Sequence, residues 1–63
     1  MSIKTEFLVY CIEEYKRITG LSGREAYDLF EKSGAMRYIL DHYDALHTAG
    51  VEYTIADIKP MMS

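Results

Sequence analysis

The sequence predicts an all-α domain: three helices followed by a short C-terminal element that is either a helical turn or a strand. Apolar residues recur at helical spacing in two stretches, Ile3, Phe7, Cys11, Tyr15 and Ile18 in the first and Met36, Ile39, Leu40, Tyr43 and Leu46 further on. Gly20, Gly34 and Gly50 stand where such stretches end, the placement of helix C-caps and not of a phosphate-binding loop. At 63 residues the chain is one domain, residues 1–63. A domain of that size buries only about 60% of the surface its unfolded chain exposes.

The first helix spans residues 2–19. Ile3, Phe7, Leu8, Tyr10, Cys11, Ile12, Tyr15 and Ile18 wind round about half of the helical cylinder, more than one buried face needs, while Glu6, Glu13, Lys16 and Arg17 share the other side. The excess apolar arc predicts a partner surface. Within the arc, Phe7, Cys11, Tyr15 and Ile18 are assigned to the domain's own core, and Leu8 and Ile12 to one border of it.

The second helix has the clearest local signal. Ser22-Gly23-Arg24-Glu25 is a capping box, with Leu21 and Ala26 at the staple positions, and Ala26, Leu29 and Phe30 point inward before an end near Ser33. The third helix spans residues 35–49 without a break. Besides its inward stripe it carries a second, thinner one, Tyr38, His42, Ala45 and Ala49, so it buries two sides.

The tail has two readings. Val51, Tyr53 and Ile55 alternate with polar or small residues as a strand does, yet Thr54-Ile55-Ala56-Asp57 is also a helix start. Pro60 pushes Lys59 toward extended geometry and limits any terminal helix to about one turn, leaving Met61 to Ser63 frayed.

Composition excludes several roles. The net charge is −3 with signs mixed along the chain, and neither Asn nor Gln occurs. Nucleic-acid affinity rests on phosphate contacts and base reading on amides and guanidinium groups, so no nucleic-acid partner is expected. The six-residue apolar run from Phe7 to Ile12 is flanked by acids and too short for a membrane span or a signal segment, which assigns the protein to the cytoplasm. A single cysteine rules out an internal disulfide.

Few side chains invite chemistry. Cys11 lies on the apolar stripe as a small hydrophobe. His47 falls on the inward stripe of the third helix, where Asp44 could orient it, and His42 lies about 140° away round the helix, so the two cannot grip one metal. No catalytic residue, cofactor or metal is expected. Glu14 projects close to the line of Ile3 and Phe7, either rimming an interface or pairing with Arg37 or Arg24. Six tyrosines suit surfaces that are wet in one state and dry in another.

The run Glu6-Phe7-Leu8-Val9-Tyr10-Cys11-Ile12-Glu13-Glu14-Tyr15-Lys16, then Leu21-Ser22-Gly23, Ala26, Leu29-Phe30, Leu46-His47-Thr48, Gly50, Tyr53 and Asp57-Ile58, resembles the family catalogued as domain of unknown function 3791. The resemblance covers nearly the whole chain and transfers no catalytic residue. It implies a bacterial cytosolic helical mini-domain. It also implies an accessory or antitoxin-like role beside small toxin-like or ADP-ribosyltransferase-like proteins encoded nearby.

The expected function is therefore protein binding without catalysis. The partner is a second copy in a homodimer, and a neighbouring gene product besides, with Ile3, Phe7, Leu8, Tyr10, Ile12, Glu14, Tyr38 and His42 as interface residues. The alternative is a small nucleic-acid-binding regulator, since the second and third helices joined at Gly34 have the outline of a helix-turn-helix pair.

Overall fold

The computed structural model describes residues 1–62, which form five α-helices and a terminal 3₁₀ turn, with no strand among them. The helices are α1 (Ile3–Thr19), α2 (Gly23–Ser33), α3 (Ala35–Asp41), α4 (Tyr43–Ala49) and α5 (Val51–Ile58), and the turn is Lys59–Met62. The all-α expectation holds. The count of three helices does not, because the third segment splits in two and the tail forms a helix of its own.

The first two helices start and stop as their sequences predict. Ser2 Oγ accepts the Thr5 N–H at 3.1 Å, and Gly20, left-handed at φ 77°, donates to the Lys16 carbonyl at 2.8 Å. In the capping box the Glu25 N–H donates to Ser22 Oγ at 3.1 Å and the Ser22 N–H to Glu25 Oε1 at 2.9 Å.

The break between α3 and α4 lies at His42, with φ −112° and ψ 25°. Its backbone N–H and its ring Nδ1–H both reach the Tyr38 carbonyl, each at 3.0 Å. A side chain that enters the ladder in this way bends a helix. Sequence periodicity misses the bend because Ala35 and Ile39 on one side of it and Leu46 on the other are all buried in the same core.

A corner at Gly50 (φ 104°, ψ 169°) precedes α5 and takes up a conformation essentially confined to glycine. Beyond it, Thr54, Ile55 and Ile58 are buried and Val51 half-buried, a helical spacing, so the two-residue alternation of the tail was a coincidence of its first five residues. The buried Thr54 hydroxyl donates to the Gly50 carbonyl at 2.9 Å. Pro60 does not make Lys59 extended. Lys59 is helical (φ −49°, ψ −46°), and the proline falls in the 3₁₀ turn, where its missing N–H interrupts no continuing α-helix. Met61 and Met62 are half-buried instead of frayed: Met61 packs over Gly34 and Met62 Sδ accepts the Ser33 hydroxyl at 3.4 Å. Ser63 lies outside the described residues.

The core joins Phe7, Leu8 and Cys11 of α1 to Phe30, Ala35, Ile39, Leu46, Ile55 and Ile58. Tyr15 meets Phe30 edge-on at 5.5 Å between centroids, and Tyr43 meets Phe7 likewise at 5.7 Å. Two assignments on α1 are reversed. Leu8 belongs to the core, whereas Ile18, expected there, is 49% exposed. The last turn of α1 runs on toward the Gly20 cap, and the buried arc is shifted toward Leu8 and Ile12.

Phe30 is fully buried, so Phe30→Ala should destabilise the domain by ~3–5 kcal/mol and leave it unfolded at room temperature by circular dichroism. A Cβ at Gly20 or Gly50 meets nothing within 4 Å, so alanine tests backbone strain alone at both. Gly50→Ala should cost about 1–3 kcal/mol in urea unfolding, more than Gly20→Ala, because only Gly50 leaves the left-handed region open to other residues.

Candidate functional site: the border of the first helix and its groove with the fifth

The expected interface residues fall into three groups. Phe7 and Leu8 are 8% and 7% exposed and packed in the core, which corrects their assignment to a free surface, and Ile12 is half-buried against the same core. Ile3 and Tyr10 are 66% and 59% exposed on one border of α1. Tyr38 and His42 lie elsewhere, with their rings 4.5 Å apart. The Tyr38 phenol donates to the Asp57 carboxylate and ties α3 to α5.

Glu14 stands on the Ile3–Tyr10 border, and its partner is neither Arg37 nor Arg24. Arg17, one turn on, grips it with both nitrogens, Nε at 3.0 Å and Nη2 at 2.5 Å. Arg24 and Arg37 lie 3.6 Å from Asp28 and Asp41 on their own helices. The hydrogen bonds from Arg17 hold the Glu14 carboxyl below its ordinary range, and Glu14 with Glu52 raises the Arg17 guanidinium in turn.

Beside this border runs a groove of about 260 Å³ between α1 and α5. Ile18, Ile55 and Ala56 supply its apolar surface, Glu14 and Arg17 line one wall, and Glu52 and Lys59 line the other. Each wall carries one acid and one base above an apolar floor, so the groove offers no concentrated charge. A second groove, about 270 Å³, is lined by Met36 and Leu40 with Glu31 and Arg37 at its edge, and Tyr27, 47% exposed, lies one turn before Glu31 on α2.

The residues weighed for chemistry stand apart from this face. Cys11 is fully buried, and burial alone pushes its thiol up to about 12. His47, expected to face inward, is exposed: its ring stacks on Tyr43 at 4.4 Å, and Nδ1 lies 3.1 Å from the carbonyls of Tyr43 and Asp44. It is therefore the backbone carbonyls of Tyr43 and Asp44, and not the Asp44 side chain, that orient the ring. Among the described residues no group of three or more His, Cys, Asp or Glu side chains is placed to hold a metal ion. No helix in them is long and apolar enough to cross a membrane.

Sequence reasoning missed the α5 wall. The spacing of Val51, Ile55 and Ile58 carries the signal, since a helix burying those three presents Glu52, Ala56 and Lys59 along one edge. The Tyr38–Asp57 bridge spans 19 residues and leaves no local trace.

The native Cys11 thiol should react with a disulfide reagent at pH 8 only as fast as global unfolding exposes it, and release one equivalent at once in denaturant. Donation to Asp57 pushes the Tyr38 phenol above the ordinary tyrosine value. Its contribution to stability is complete below about pH 10 and disappears as pH rises through the elevated folded value. In an ultraviolet titration one tyrosine should ionise later than the rest, and Tyr38→Phe should remove that late step.

No curated protein and no solved structure matches the chain. Residues 6–63 match the family described as Protein of unknown function (DUF3791), and the chain belongs to that family.

Proposed function

We propose that this protein is a binding module without a catalytic centre, and that it associates with itself and with other protein through the border of α1 and the α1–α5 groove. One observation carries the reading. Ile3 and Tyr10 are 66% and 59% exposed in line along one border of α1, and Ile18, 49% exposed and about 80° round the helix from Tyr10, lines a groove with an apolar floor beside it. Scattered exposed apolar residues need no explanation, but an aligned set with a polar rim has the make-up of an interface.

Size supports it. A domain this small with no disulfide gains stability by burying more surface against a partner. The role follows the family resemblance: an accessory or antitoxin-like partner in a bacterial cytoplasm, engaging the product of an adjacent gene. The helix-turn-helix alternative draws less support. Its reading helix would be α3, seven residues long, whose Arg37 lies beside Asp41.

Sedimentation velocity in the micromolar range should give a mass above the 7.3 kDa of one chain and rising with concentration. Tyr10→Glu should shift the population to monomer with the helical circular dichroism signal retained. A 7.3 kDa species at every concentration, together with no capture of the adjacent gene's product, would sink the reading.

A further inference from the structure

We infer that the turn Lys59–Met62 is a redox-sensitive strap with Met61 and Met62 as its modification site: hydrogen peroxide converts them to sulfoxides, and the turn then lifts from the junction of α2 and α3. The thioether sulfur attacks one peroxide oxygen, the S–O bond forms as the O–O bond breaks, and the second oxygen leaves as water. The sulfur gives up one electron pair and the peroxide takes it.

The two methionine side chains fasten the strap. Met62 Sδ accepts the Ser33 hydroxyl at 3.4 Å, a contact between residues 29 apart in the chain, and Met61 lays its methyl over Gly34, 3.7 Å from where a Cβ would stand. Ser33 and Gly34 are the link between α2 and α3. Ser33 Oγ also accepts the Ala35 N–H at 3.2 Å, and so serves the start of a seven-residue helix whose N-cap, Gly34, has no side chain to offer. What holds the turn down therefore also steadies the entry to α3.

Burial decides which sulfur matters. Of the four methionines and one cysteine, Cys11 is fully buried and Met1 is 87% exposed, the first closed to an oxidant and the second without packing to lose. Met36 lines the second groove and is the internal control. Met61 and Met62 are half-buried against the core, open to a small oxidant yet placed where a new polar oxygen is costly. At 3.4 Å no oxygen fits between Met62 Sδ and the Ser33 hydroxyl, and one added on the far side draws charge off the sulfur and weakens it as an acceptor. On Met61 the S–O dipole stands among the apolar side chains it packs on. The rest of α5 stays in place because Ile55 and Ile58 are buried in the core, so the movement is confined to the turn and the link beneath it. Sulfoxide reduction reverses the change, which makes the strap a switch.

Dilute hydrogen peroxide on the native chain, followed by peptide mass spectrometry and amide hydrogen exchange, tests the strap. Met61 and Met62 should each gain one oxygen faster than the chain unfolds, with Cys11 unmodified. Amides of residues 33–38 should then exchange about tenfold faster while those of α1 keep their protection. The two methionine sulfoxide reductases, one for each epimer, should reverse both changes. Met61→Leu with Met62→Leu in one chain keeps the apolar volume, and peroxide should leave its exchange unchanged. Met36→Leu should loosen under peroxide as the native chain does, which keeps the test decisive if the double variant fails to fold. Loosening in the double variant, or its loss in Met36→Leu, overturns the assignment to the turn. Oxidation of Met61 and Met62 only at the rate of unfolding, with no change at residues 33–38, with equal loss of protection in α1, or without reversal by the reductases overturns the switch.

Discussion

The candidate face depends on the corner at Gly50. There the chain leaves α4, takes a backbone conformation open only to glycine, and restarts a helix within one residue, with the Gly50 N–H on the Leu46 carbonyl at 2.8 Å and the Thr54 N–H on the Gly50 carbonyl at 3.1 Å. Thr54 completes the corner from inside, its buried hydroxyl satisfied by the Gly50 carbonyl, so no unpaired polar group accompanies the turn into the core. The consequence is that α5 returns along α1. Ile55 and Ile58 close the core, and Glu52, Ala56 and Lys59 become a wall.

A chain of this size has one layer of core, so each helix is half inside and half outside, and the tyrosines sit at that boundary. Tyr15 and Tyr43 press ring edges onto Phe30 and Phe7, and Tyr38 sends its hydroxyl across to Asp57. Each adds apolar area to the core and keeps a polar tip at its margin. Tyr10 and Tyr53 make no such contact and are more than half exposed. Tyr10 is the one that lies on the border of α1, in line with the exposed Ile3, whereas Cys11 and the histidines are already engaged by packing and by backbone carbonyls.

Sequence alone determined what local chemistry decides. A hydroxyl facing an amide three residues on defines the starts of α1 and α2, and left-handed glycines define their ends. Helical periodicity identified Cys11, Phe30, Ile39 and Leu46 as core because those residues repeat on one face whatever they pack against. The membership of the family was legible too, since it rests on the order of residues alone.

Tertiary structure decided everything that depends on distant partners. Periodicity shows a face but not where its centre lies, and so Leu8 and Ile18 exchanged places once α1 was packed. His42 bends the third segment through a contact that leaves the apolar pattern intact. The tail's alternation fitted a strand until the Gly50 corner returned it to the core as a helix. Glu14 chose Arg17 over Arg24 and Arg37, and the groove exists because two segments far apart in the chain run side by side, a relation that no residue spacing encodes.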